Sequence, residues 1–258
     1  MNRLGRGSAV EFIGTFFFVF FSAGAIITGG NAGAPLLTAA LASGLALAIA
    51  ITVCIPVSGG QLNPAVSIGL VVARKQAPPT AAAYIIAQLL GAASGAGMLQ
   101  LILSPDKANG NTARLGATIG SFTDAGHVLG VVGVELLCTF FVMLAYLASV
   151  ADKRAPKLGG FATGFAVAVC SLFAGSWTGA SMNPARTFGP AICGAHWEMH
   201  WAYWVAPVIG ACLAAIAYTA LWEQPPLAGA GVPGPRRPGP DELEVASATI
   251  EITERRIG

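Results

Sequence analysis

Charge is what this 258-residue chain has least of: Asp, Glu, Lys and Arg together make up only 10% of it, and there are three histidines. A soluble globular domain carries about 25% charged residues, so that class is excluded. No phosphate-cradling glycine loop, catalytic triad or cluster with metal-ligand spacing occurs. The expectation is therefore no metal, no cofactor and no enzymatic chemistry. A disulfide framework is not expected either. Cys54, Cys138, Cys170, Cys193 and Cys212 all fall in apolar segments, and their odd number fits buried small hydrophobes better than paired bridges.

What remains is apolar. Hydrophobic residues account for 55% of the chain and the mean hydropathy is +0.68, which makes the bilayer the solvent. Runs of the about 20 residues needed to cross hydrocarbon are read at Ala9 to Ile27, Leu36 to Pro56, Thr80 to Leu103, Val128 to Val150, Gly159 to Ala174 and Ala202 to Leu221. Two further stretches, Pro64 to Val72 and Pro184 to Cys193, are too short to cross. They read as re-entrant half-helices, which survive in a membrane only where they line a cavity or bury in protein.

Basic residues sort to one side of this arrangement: Arg3 and Arg6, Arg74 and Lys75, Lys153, Arg154 and Lys157, and the arginines of the tail. The opposite side keeps Lys107 and Arg114, balanced by Asp106 and Asp124. The positive-inside rule then predicts both termini in the cytoplasm. Read alone, the N-terminus with its two arginines and the small residues Ala23-Gly24-Ala25 has the form of a cleaved signal peptide.

An internal repeat argues against cleavage. Glu11-Phe-Ile-Gly-Thr15-Phe16-Phe17 in the first span returns in the fourth as Glu135-Leu-Leu-Cys-Thr139-Phe140-Phe141, and Asn63-Pro64-Ala65 returns with nearly the same offset as Asn183-Pro184-Ala185. Three spans separate equivalent points, so the second half enters the membrane from the opposite side. An inverted repeat of this kind is expected to hold its functional site near the midplane, where the two broken segments meet. Each Asn-Pro is itself a helix start, because Asn is a favoured N-cap and Pro a favoured first residue.

The segments Ser58-Gly59-Gly60-Gln61-Leu62-Asn63-Pro64-Ala65-Val66-Ser67 and Thr178-Gly179-Ala180-Ser181-Met182-Asn183-Pro184-Ala185-Arg186-Thr187 resemble the two signature loops of the aquaporin (major intrinsic protein) family. The resemblance covers about residues 8 to 222. It implies an all-α membrane protein of six transmembrane helices plus two re-entrant half-helices in an inverted repeat, with one channel domain at 1–222 (repeats about 8–104 and 127–222). It also implies a homotetramer with one pore per subunit, in the cell membrane. Residues 223–258, rich in Pro and Gly from Pro225 to Pro240, are read as a disordered cytoplasmic tail.

Helix ends give the design its chemistry. Two half-helices meeting head to head aim their positive N-termini at the pore centre, and Asn63 and Asn183 offer amide donors to a passing oxygen. A water held that way cannot relay a proton along a hydrogen-bonded file, and a cation meets positive potential with its hydration stripped. Arg186 is a lone cation in the apolar core of the sequence, and intramembrane charge marks a pathway more often than a snorkelling side chain would. By resemblance it belongs to the narrow filter on the extracellular side, with Ser43, Ser171 and Ala180 as the other three positions. Water-selective members place bulky Phe and His at the first two, so two serines and an alanine predict a wider, hydroxyl-lined opening. It resembles the filters of nodulin-like intrinsic channels and their bacterial relatives, which pass glycerol, urea or metalloid hydroxides.

Other positions pull toward water. Thr187 stands where glycerol-specialised members carry Asp, and Ala191 with Tyr203-Trp204 matches water channels. Gln61 replaces the family's usual His, which removes a titrating group. Glu11 and Glu135 read as structural acceptors for the backbone of the re-entrant loops; as proton carriers they would instead make a proton-coupled secondary transporter. His127, His196 and His200 with Trp197 and Trp201 read as an interfacial belt. The expectation is passive conduction of water and small uncharged solutes, with exclusion of protons and ions; a strict water channel is the alternative, and a junction protein with an incidental pore is a further one.

Overall fold

In the computed structural model, residues 2–31, 35–103, 114–154, 156 and 158–224 are described. Asp106, Lys107, Lys157 and the tail beyond 224, for which the sequence raised expectations, lie outside the described residues. Helices account for nearly all of the order: α1 (Arg3–Asn31), α2 (Pro35–Ser58), α3 (Pro64–Val72), α4 (Pro78–Ile102), α5 (Ser121–Asp124), α6 (Val128–Tyr146), α7 (Phe161–Thr178), α8 (Pro184–Gly194) and α9 (Ala202–Leu221). Among the described residues six of these are long and apolar enough to cross a membrane, namely α1, α2, α4, α6 with its π-helical extension Leu147–Ala151, α7 and α9. The short α3 and α8 start at the two Asn-Pro pairs. The chain divides after Glu223, and the bundle is built from the first unit.

Helix ends depart from the apolar runs for physical reasons. α1 begins at Arg3 rather than Ala9, because a helix goes on gaining backbone hydrogen bonds beyond the hydrocarbon, with Arg3 and Leu4 exposed. α7 runs past Ala174 through Gly175-Ser-Trp-Thr178 and stops only at Gly179, which takes the left-handed conformation (φ 76°) and caps it.

The two halves interlock. α1 packs on α2 and α4, α6 on α9, and α2 on α7. Each half-helix rests on the last span of the other half: α3 on α9 and α8 on α4. The outward faces are apolar, with Leu101 and Leu129 both 80% exposed and Val53 70%, surfaces that hydrocarbon rather than water would cover.

Where α2 crosses α7 there is no room for side chains. A Cβ on Gly44 would lie 2.6 Å from the Gly164 carbonyl oxygen and from the Ala168 Cβ. Gly44→Val is therefore expected to force the two helices apart and cost about 1–3 kcal/mol by overpacking. A lowered thermal-unfolding midpoint in detergent checks this; an unchanged midpoint would refute the close crossing.

Candidate functional site

Each Asn-Pro pair builds its helix start as local chemistry dictates. Asn63 is extended (φ −158°) and its side chain accepts from Ala65 N at 2.9 Å. Asn183 (φ −154°) accepts from Ala185 N at 2.9 Å and Arg186 N at 3.3 Å. The amide ends then reach across the repeat. Asn63 Nδ2 donates to the Met182 carbonyl at 2.8 Å, and Asn183 Nδ2 donates to the Leu62 carbonyl at 2.8 Å. The acceptors Leu62 and Met182 sit in left-handed backbone (φ 52° and 53°), which turns their carbonyls toward the other half. An amide nitrogen has two hydrogens, so each asparagine spends one on the partner loop and keeps one.

Glu11 and Glu135 are fully buried and brace these loops from behind. Glu11 accepts from Ser58 Oγ (2.6 Å), Gln61 N (2.9 Å), Leu62 N (2.7 Å) and Gln88 Nε2 (2.8 Å). Glu135 accepts from Thr178 Oγ1 (2.8 Å), Ser181 N (2.9 Å) and Met182 N (2.7 Å). Irregular backbone in an apolar core is tolerable because these carboxylates supply the acceptors its N–H groups need.

Beside the second loop lies a cavity of about 230 Å³, and Ser43, Ser171, Ala180 and Arg186 all line it. Ser43 and Ser171 come from facing turns of α2 and α7. Their neighbours point elsewhere: Gly44 is at the helix crossing, Cys170 is buried, and Leu172 is 43% exposed on the outside. Arg186 is 3% exposed, and its Nη1 is buried without a hydrogen-bond partner. The guanidinium carries five N–H donors, and as a side chain lining the cavity it can bind a solute oxygen.

Sequence reasoning missed part of the cavity wall. Ala117 and Ile119, from the segment after the 3-10 turn Arg114–Gly116, line it too. Thr187, by contrast, turns away: it bonds Thr118 Oγ1 at 2.8 Å and Ser181 Oγ. Tyr203 is fully buried and donates to the Thr178 carbonyl at 2.6 Å, leaving Thr123 to donate to it. Trp204 Nε1 donates to His200 Nε2 at 3.1 Å. Tyr203 and Trp204 thus brace the end of α7 and the start of α9. Gln61 Oε1 accepts from Ser67 Oγ at 2.6 Å and Gln76 Nε2 at 3.2 Å. His196 faces Glu198 at 3.9 Å and His127 packs against Phe122. Among the described residues no three His, Cys, Asp or Glu side chains gather as a metal site would require.

Comparison with known proteins gives one consistent picture. The Major intrinsic protein family matches over residues 3–218. Aquaporin-4 of Notomys alexis is 43% identical over 221 residues, a match covering 83% of this chain and 65% of that protein; the chain thus spans just under two thirds of that relative's length. The lens fiber major intrinsic protein of Ovis aries is 37% identical, covering 83% of this chain and 80% of its own. Among solved structures, the aquaglyceroporin from Plasmodium falciparum superposes with a TM-score of 0.76 at 25% identity, covering 85% of this chain and 97% of its own.

Proposed function

We propose, from the premise that this chain belongs to the major intrinsic protein family, that it is a passive channel for water and small uncharged solutes such as glycerol, urea or metalloid hydroxides, and that it excludes protons and ions. The observation carrying this reading is the cavity in which Ser43, Ser171, Ala180 and Arg186 meet beside the second signature loop. Two serines and an alanine leave space that bulkier residues would fill. The fixed cation of Arg186 repels positive charge while its guanidinium, at the cavity wall, donates to a solute oxygen. Asn63 and Asn183 hold a passing water with its oxygen toward the two helix N-termini, which breaks the hydrogen-bonded file that a proton needs.

In this reading the chain lies in the cell membrane as a homotetramer with a pore in each subunit. Arg3, Arg6, Arg74, Lys75, Lys153 and Arg154 face the cytoplasm, with both termini on that side, and Arg186 lies toward the outside. Family members are channels rather than enzymes, and conduction past these residues involves no covalent step.

Stopped-flow light scattering on proteoliposomes shocked with glycerol tests the proposal. Fast shrinkage followed by fast re-swelling is expected. Shrinkage without re-swelling would support the strict water channel instead, and neither phase would overturn conduction altogether. Arg186→Val is expected to raise the cation leak by about tenfold, the equivalent of ~1.4 kcal/mol off the barrier, while leaving water flux intact. A cation leak equal to the parent's would mean that Arg186 does not guard the passage against charge.

A further inference from the structure

The second half-helix is tied to the segment 114–120 by a chain of hydroxyls whose direction can be worked out. Ser181 Oγ lies 2.8 Å from the Asn183 carbonyl, which can only accept, so the Ser181 proton goes there. Ser181 must then accept from Thr187, with which it is in close contact. Thr187 has a single hydroxyl proton, so at its 2.8 Å contact with Thr118 Oγ1 it is the acceptor and Thr118 the donor. The chain therefore runs Thr118 to Thr187 to Ser181 to the Asn183 carbonyl. The equivalent chain of the first half, Gln88 to Ser67 to Gln61, begins instead on a spanning helix, α4.

Thr118 sits between Ala117 and Ile119, both at the cavity wall. It is 2% exposed. Its segment lies flush on the loop that carries Ala180: a Cβ on Gly179 would fall 2.6 Å from Thr118 Cα and from Ile119 N. On the other side, a Cβ on Gly116 would fall 2.6 Å from Ala23 Cα. Packing thus fixes the depth of the segment, with Leu115 against Gly194 at the far end of α8, and the Thr118 hydroxyl ties it to Thr187 near the start of α8.

We propose that Thr118 is a positioning residue for solute selection: through Thr187 and Ser181 it holds Ala117 and Ile119 as a further wall of the cavity that Arg186 also lines. The inference rests on the conduction reading above. It also gives Thr187 a role, since that residue acts on the passage through the wall it anchors. A bare hydroxyl loss should leave water, the smaller permeant, little affected and relax the limit on larger ones.

The test is the glycerol-to-water permeability ratio in proteoliposomes, measured per reconstituted protein. Thr118→Val keeps the shape and removes the donor; it is expected to raise the ratio about fivefold, the scale of one buried hydrogen bond, and Thr118→Ser is expected to restore it. Thr187→Val, which removes the acceptor from the α8 side, should raise the ratio similarly, and the double variant should add little. If Thr118→Val fails to reconstitute, the Thr187→Val ratio carries the test. Ratios equal to the parent's in conducting variants, or losses of water and glycerol flux in parallel, would overturn the positioning role. No flux from the unmodified protein would instead overturn the conduction reading itself.

Discussion

Glu11→Ala is expected to prevent accumulation of folded protein. The carboxylate takes four donors, two of them backbone N–H groups of the loop before Asn63 and two of them the Ser58 hydroxyl and the Gln88 amide. Alanine reaches none of them, and the position is fully buried. Ser58 can turn to the Cys54 carbonyl and Gln88 keeps Ser67, but the Gln61 and Leu62 N–H groups are orphaned at about 1–3 kcal/mol each, a large share of the about 5–15 kcal/mol that stabilises a protein domain. Glu11→Gln should be intermediate, because one oxygen still accepts while the new NH2 group faces a donor. The reading of Glu11 as a proton carrier predicts the opposite pattern: a normally folded protein that has lost uphill uptake. Yield of monodisperse protein and its unfolding midpoint, measured beside solute uptake under a proton gradient, separate the two. A Glu11→Ala protein with the parent's midpoint would refute the bracing role.

Ser43→Phe combined with Ser171→His is expected to retain osmotic water flux and to cut glycerol re-swelling by about tenfold or more, the equivalent of ~1.4 kcal/mol added to the barrier. The size of this effect follows from where the new side chains are able to go. Ser43 precedes Gly44, whose backbone is locked against Gly164 and Ala168, so α2 cannot roll a phenyl ring away toward α7. Ser171 is 7% exposed, with buried Cys170 on one side and outward Leu172 on the other, and an imidazole there has only the cavity to enter. Both rings would then occupy a space of about 230 Å³. Equal glycerol flux in the double variant would mean that the narrowest point lies away from these two residues.

The two helix starts at the asparagines are legible in sequence because their information is local, whereas Ser43 and Ser171 are placed by the family resemblance alone. An N-cap followed by proline starts a helix whatever surrounds it, and a helix fixes which residues share a face over any distance. The wall at Ala117 and Ile119 is not legible in sequence. Its segment bends through left-handed Arg114 and Leu115 (φ 40° and 49°), conformations that sequence does not announce in non-glycine residues. It is held by Thr118 bonding a residue far along the chain. Thr187, Tyr203 and Trp204 show the same limit from the other direction. They resemble positions that distinguish water channels, yet their polar atoms are engaged with Thr118, Thr178 and His200. A residue's type can suggest a permeant without the side chain ever meeting it.

The crossed seating of the half-helices also constrains the order in which this protein can be made. α3 rests on α9, and Asn63 waits for the carbonyl of Met182, 119 positions later. A ribosome delivers the N-terminal half first, so the first signature loop must wait with its bond unmade until the second signature loop arrives. Closure of contacts so distant in sequence is slow compared with forming any one helix. The last span, far from the first Asn-Pro motif in sequence, is therefore the one whose loss would leave the first half-helix without its seat.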